Sequence, residues 1–150
     1  MIAVIQRVTR AKVSIEEKVK GKIDTGFMVL LGITHTDNLE DVEWLSKKIV
    51  NLRVFSDEEG KMNLSLDDVD GNILLVSQFT LHASTKKGNR PSYNDAAKPD
   101  VAIPLYEAMI KTLTEKLGKP IQTGEFGAMM DIDLVNNGPV TIIIDSKEKK

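Results

Sequence analysis

At 150 residues, with 41% hydrophobic and 28% charged, the chain has the composition of one globular domain with a core of real size. Its formal net charge of −2 provides no bulk field that draws in nucleic acid, so any RNA contact must come from a local basic patch. With no cysteine, disulfides, thiolate catalysis and cysteine-ligated zinc are excluded.

No apolar run approaches the ~20 residues that a membrane helix needs. Met1 to Arg7 lacks the basic-then-apolar order of a signal peptide, so a cytoplasmic location is the expectation. Ile2–Val8 and Lys12–Ile15 are predicted strands, and Gly21-Lys22 lies in a hairpin-like region. Gly26–Ile33 is a continuous apolar run that suits a buried central strand. The period then changes. Leu39, Val42, Leu45, Ile49 and Leu52 recur at three and four, which predicts a helix, with Asp37 and Glu40 as its capping box. Arg53–Phe55 reads as extended and Asp57–Gly60 as a turn. Ile73–Phe79 is a second buried strand, followed by a long polar loop from His82 to Tyr93. A second helix opens at Pro99 or Asp100, carries Tyr106, Met109, Ile110, Leu113 and Leu117 on one face, and is capped by Gly118. From Ala128, apolar residues alternate through Met130, Ile132 and Leu134, the pattern of a half-exposed strand. The turn Asn136-Asn137-Gly138-Pro139 joins it to Val140–Ile144, and the polar tail 147–150 is expected to fray. Strands dominate beside two helices, so residues 1–150 read as a single α+β domain.

Most familiar catalytic apparatus is missing. The two histidines, His35 and His82, lie in no nucleophile elbow, and no Gly-x-Ser-x-Gly occurs. Ser77 and His82 are separated by roughly 16 Å if the chain between them is extended. Solvated loop histidines are the plainer reading. There is no His-Glu-x-x-His and no glycine-rich phosphate loop, so no metal and no cofactor are expected. Two segments stand out. Ser77-Gln78-Phe79-Thr80-Leu81 ends a buried strand, where a rigid sheet can hold polar groups towards a loop that admits substrate. A capping Ser/Thr pair around a core Phe explains the same pattern, and spacing alone leans that way. Asn136-Asn137-Gly138-Pro139-Val140-Thr141 reads first as a hairpin turn. But a proline directly after Asn-Gly removes an N–H that the ladder would use, and a Gly-Pro bond can be cis at modest cost.

Together these segments resemble the D-aminoacyl-tRNA deacylases, formerly called D-tyrosyl-tRNA deacylases, whose signatures Ser-Gln-Phe-Thr-Leu and Asn-x-Gly-Pro-Val-Thr both stand intact. The likeness runs over almost the whole chain: Ile5-Gln6-Arg7-Val8, Phe55-Ser56-Asp57, Gly60-Lys61-Met62-Asn63, Asn89-Arg90-Pro91-Ser92 and Gln122-Thr123-Gly124 appear in order. The resemblance implies a metal-free hydrolase of the ester in D-aminoacyl-tRNA. It implies an antiparallel β-barrel-like core flanked by two main helices, in a homodimer with active sites at the interface. Gly138-Pro139 would be cis and would present its carbonyl oxygens to the other subunit's site, with Arg7 bracing the turn. Such a backbone wall obstructs an L side chain and ignores which D side chain is present, but it admits achiral glycine. By the same resemblance Ser77, Gln78, Phe79 and Thr80 line the pocket for the terminal adenosine and the scissile ester, and Phe126 and Met130 hold the adenine. The N–H groups of Phe79 and Thr80 are the candidate oxyanion donors.

Thr80 is the natural side-chain nucleophile but lacks an obvious base, and the tRNA's terminal 2′-hydroxyl is the favoured alternative. Lys86, Lys87 and Arg90 are placed to meet tRNA phosphates. Lys18, Lys20 and Lys22 alternate along one strand face, where protection of a sheet edge explains them as well. Two rival readings remain: a relative with a trans Gly-Pro that acts on L-alanyl-tRNA, and a non-catalytic tRNA-binding module like the editing domains fused to synthetases.

Overall fold

The computed structural model describes every residue, Met1–Lys150. Eight strands and two helices follow one another along the chain: β1 Ile2–Ile15, β2 Lys18–Ile23, β3 Gly26–Gly32, α1 Leu39–Asn51, β4 Phe55–Ser56, β5 Met62–Leu64, β6 Asn72–Ser77, α2 Pro99–Leu117, β7 Gln122–Thr123 and β8 Asp131–Asp145. A short 3-10 helix, Phe79–His82, follows β6.

β1 organises the sheet. Its whole length pairs antiparallel with β8 on one edge, while β3 and then β2 take successive halves of the other. It is one strand where two were predicted. The hairpin that follows turns at Glu16 and Glu17, both at positive φ, rather than at Gly21-Lys22. Gly21 lies inside β2, where a Cβ would sit 3.0 Å from the carbonyl oxygen of Thr123. That close approach brings β2 against β7 and nearly closes the barrel. β6 joins β3 in parallel, and β7 joins β6 in parallel, so the barrel is mixed rather than wholly antiparallel. The reason is α1: a parallel neighbour needs a long crossover, and the chain between β3 and β6 contains this helix.

The apolar runs of β3 and β6 are continuous because both faces are buried. Phe27, Val29, Leu31, Ile73 and Leu75 face a core shared with the helices, including Leu45, Ile49, Met109 and Leu113. Alternate residues Met28, Leu74 and Val76 fill a smaller core inside the barrel with Val8, Val13 and Ile23. β1 changes allegiance at Arg7 and Val8: Ala3 and Ile5 belong to the first core, Val8, Ala11 and Val13 to the second.

Several predicted boundaries move. α1 is capped by Asn38, which forms the capping box with Asp41; Asp37 instead accepts the Met1 ammonium at 2.7 Å. Leu39 is 66% exposed and off the apolar face, and Leu52 lies just past the helix at its cap. β6 stops at Ser77, before Phe79. The two strands predicted around Asn136–Pro139 are one strand, β8, and they pair with β1 instead of with each other. α2 begins at Pro99 and ends against Gly118 in the left-handed conformation. Lys147 is not frayed: its ammonium bonds to Asp41 at 3.0 Å and to the carbonyl of Thr36.

Candidate active site

β6 delivers the first signature to the rim of the barrel. Ser77 is its last residue, level with Leu31 of β3, and the Gln78 N–H still donates to the Leu31 carbonyl at 2.8 Å. The chain then coils. Leu81 N–H donates to the Gln78 carbonyl, so the Phe79 and Thr80 N–H groups precede the first bond of the 3-10 turn and have no partner within it. Two adjacent free donors on a short rigid turn are what an oxyanion requires. Gly32, the last residue of β3, lets this turn seat. A Cβ there would stand 2.9 Å from the Leu81 Cβ and 3.2 Å from the Gln78 carbonyl oxygen. Sequence reasoning passed over Gly32; a glycine closing a buried strand was its one signal.

The Gln78 side-chain amide donates to the Thr80 hydroxyl oxygen. An amide cannot take the hydroxyl's proton, so this contact positions Thr80 without activating it. Neither imidazole is hydrogen-bonded to Thr80. His35 Nε2 donates to the Asn94 carbonyl at 2.6 Å, and His82 Nε2 is buried without a partner. The reading of His82 as a solvated loop residue is corrected, because Gly32 admits its ring against the end of β3. No three His, Asp or Glu side chains converge as a metal-ligand set.

The flanks of the signature are aromatic. Phe79 is not a core residue: it is 54% exposed, edge-on to Tyr93 with ring centroids 5.0 Å apart. On the β7 side, Gly124 donates to the Leu75 carbonyl and Phe126 follows, its ring 5.9 Å from that of Tyr106. Tyr106 in turn donates to the Leu75 carbonyl at 3.0 Å, and burial pushes its phenol up to about 12. Met130 packs on Gly124, where a Cβ would meet its sulfur at 2.6 Å. The structure thus brings Ser77, Gln78, Phe79, Thr80, Phe126 and Met130 to one end of β6. Lys86, Lys87 and Arg90 stand exposed on a loop closed by paired bonds between Ser84 and Ser92.

The second signature lies elsewhere. Gln6 pairs with Thr141 and Val8 with Asn136, so residues 137–140 of β8 all bulge out opposite Arg7. The Gly138-Pro139 bond is cis. Arg7 holds the bulge from below: Nε donates to the Asn137 carbonyl at 2.8 Å, and Nη1 donates to the Val54 carbonyl at 2.6 Å. Gly138 has φ +140, and a Cβ on it would fall within 3.0 Å of Arg7 Nη2. Asn136, the first residue of the signature, closes the bulge by accepting from Val140 N–H and donating to Gln6 and Thr141.

Within one chain the two signatures do not meet. Arg7 faces Phe27, Phe27 faces Ile73, and Ser77 lies four residues further on, with three strand steps from β8 to β6. Those offsets amount to about 13 Å along the strands and about 14 Å across them, or roughly 19 Å over the sheet. β8 has no strand on its other edge, and none of its residues is buried.

Against known families, the chain matches the one described as D-Tyr-tRNA(Tyr) deacylase over residues 4–145. The chain belongs to this family. The D-aminoacyl-tRNA deacylase of Cytophaga hutchinsonii is 61% identical over 150 residues, covering all of both chains, and that of Bacteroides fragilis (strain YCH46) is 59% identical with the same coverage. Among solved structures, the c-Myc DNA Unwinding Element Binding Protein superposes with a TM-score of 0.91 at 41% identity, over 97% of this chain and 98% of that one. A probable eukaryotic D-amino acid tRNA deacylase shares the fold at a TM-score of 0.81 and 16% identity, over 95% and 97%. The deacylase family's activity, hydrolysis of the ester in D-aminoacyl-tRNA, is therefore this chain's. No helix is long and apolar enough to cross a membrane.

Proposed function

We propose that the chain is a homodimeric chiral proofreader, in which the Gly138-Pro139 bulge of one subunit stands over the Ser77–Thr80 pocket of the other. The observation that carries this reading is the braced bulge itself. Arg7 bridges two carbonyls at fixed distances and orients the bulge's main chain, yet the Ser77–Thr80 signature of the same chain lies roughly 19 Å away over the sheet. Its strand, β8, has an open edge for a second copy, with Val135 and Ile143 exposed.

In this arrangement the bulge's carbonyl oxygens sit beside the substrate's α-carbon. They leave room for hydrogen and for a D side chain on the open side, and they collide with an L side chain. Glycine passes, so glycyl-tRNA, including glycine misplaced on alanine tRNA, is also cleaved. Phe126 and Met130 hold the terminal adenine by stacking and soft apolar contact. Lys86, Lys87 and Arg90 meet tRNA phosphates. The Phe79 and Thr80 N–H groups take the charge that develops on the ester oxygen, and the tRNA's own 2′-hydroxyl assists the attacking water. Gln78 keeps Thr80 as a positioning hydroxyl. The protein works in the cytoplasm without metal or cofactor.

Purified protein should release D-tyrosine from D-tyrosyl-tRNA and leave L-tyrosyl-tRNA intact, with activity unaffected by chelation. Preferential release of L-alanine would assign it to the L-specific relatives instead. Binding without turnover would make it a tRNA-binding module.

A further inference from the structure

Tyr93 has no structural reason to be where it is. It is 41% exposed, lies outside both cores, and its one aromatic neighbour is Phe79, which is itself 54% exposed. Yet the segment that carries it is fastened on both sides. Ser84 and Ser92 exchange N–H···O bonds of 2.8 Å before it. After it, His35 Nε2 donates to the Asn94 carbonyl at 2.6 Å and Ala97 N–H donates to the Ile33 carbonyl at 2.9 Å. An exposed aromatic pair held rigidly at the edge of a site, with no core to fill, is a stacking surface. The arm between Ser84 and Ser92 carries Lys86, Lys87 and Arg90 and no acidic residue, and none of these cations enters an ion pair. Free cations beside an exposed ring are the chemistry of a single-stranded nucleic acid groove.

We propose that Tyr93, with Phe79 at its edge, stacks the base of the nucleotide preceding the terminal adenosine, while the Ser84–Ser92 arm lies along the adjoining phosphates. This rests on the tRNA reading above and extends it from the last nucleotide to the unpaired strand behind it. The signature separates the two aromatic flanks, with Phe126 on the β7 side and Tyr93 on the β3 side. An acceptor end threaded between them is therefore held at two successive bases.

The test compares two substrates, D-tyrosyl-tRNA and the D-tyrosyl ester of adenosine alone. Stacking of one base predicts that Tyr93→Leu lowers the ratio of their kcat/KM values roughly tenfold to a hundredfold, through KM for the tRNA, while Tyr93→Phe retains the wild-type ratio. A second readout needs no variant and no chemistry: an uncharged RNA acceptor hairpin with 2-aminopurine at the penultimate position should lose fluorescence on binding wild-type protein. An unchanged ratio, or binding without quenching, overturns the proposal. Equal losses on both D-tyrosyl substrates but not on their D-alanyl counterparts would also overturn it, by giving the ring to the amino acid. If wild-type protein hydrolyses neither ester, the deacylase reading fails instead, and loss of the quenching in Tyr93→Leu still reports on Tyr93 separately.

Discussion

At the scale of single residues, Thr80 and Arg7 have opposite kinds of importance. Thr80 sits where a nucleophile would, but its oxygen accepts from the Gln78 amide and no base adjoins it. Thr80→Ala should therefore lose only about tenfold to a hundredfold in kcat, about 1.4 to 2.7 kcal/mol, with no acyl-enzyme in a rapid-quench experiment. Replacing the substrate's terminal 2′-hydroxyl by hydrogen should cost the wild-type enzyme more than that. A dead Thr80→Ala enzyme with brisk turnover of the deoxy substrate would return the attack to threonine. On the dimeric reading proposed above, Arg7 acts through the bulge, whose Asn137 carbonyl it holds. Lysine cannot reproduce a rigid fork across two carbonyls. Arg7→Lys should lower stability by about 1 to 3 kcal/mol, the cost of buried acceptors left unmet, and should narrow the preference for D- over L-tyrosyl-tRNA by at least tenfold. Denaturant melts and paired deacylation assays check the two effects separately.

At the scale of elements, the 3-10 turn is only as well placed as Gly32 allows. A methyl at Gly32 must displace either Leu81 or the Gln78 carbonyl, and Gln78 also holds Thr80. Gly32→Ala should reduce kcat on D-tyrosyl-tRNA by more than tenfold at a temperature where its melting curve is still flat. That coupling was invisible in sequence, because it joins residues of different elements through a clearance. What the sequence did display was period. The three-and-four spacing of Val42, Leu45 and Ile49 and the face of α2 emerge as buried helix faces, and the run at Gly26–Ile33 and the first part of the run at Ile73–Phe79, as far as Ser77, emerge as strands. Boundaries were less legible, since a terminus depends on which residue finds a partner. Asn38 caps α1 because Asp37 is drawn to the Met1 ammonium. The bulge read as a hairpin because Asn-Gly is a local signal, whereas continuous pairing of β8 with β1 is a long-range one. The signature residues were recognisable as motifs, but their division into two places needed the register.

At the scale of the whole molecule, the roughly 19 Å between the signatures has a direct genetic test. Co-expressed chains carrying Arg7→Lys in one copy and Thr80→Ala in the other should regain activity and selectivity in mixed dimers, because one site then combines an intact pocket with an intact bulge. Sites built within single chains would gain nothing from mixing. At the end of the sheet where Ile2 pairs with Gly32 and Asp145, a polar network ties the two ends of the chain to α1. Ser146 donates to Asp41 at 2.6 Å, and Lys147 donates to it at 3.0 Å. Burial alone would raise the Asp41 pKa, but bonds from Ser146, Asn38 and Lys147 outweigh it and hold the carboxyl below its ordinary 3.8; the same pair raises Lys147 above 10.5. A lowered carboxylate contributes stability above its unfolded pKa and loses it as pH falls through the folded value. A raised lysine contributes below its unfolded pKa and loses it as pH rises through the folded one. Thermal stability should thus fall below about pH 3.8, and Asp41→Asn should flatten that acid limb in melts taken across the range.

The bulge in β8 has one further consequence, which concerns aggregation. A fifteen-residue strand with a free edge and the run Ile142-Ile143-Ile144 would, if uninterrupted, be a template for any extended chain released during folding. The bulge divides that edge into two short pieces, 131–136 and 141–145, and Pro139 presents no N–H between them. Asp131, Asp133 and Asp145 add charge at the outer ends. The loop proposed to judge the handedness of a substrate therefore also shortens the run of free edge that an unfolded chain could extend.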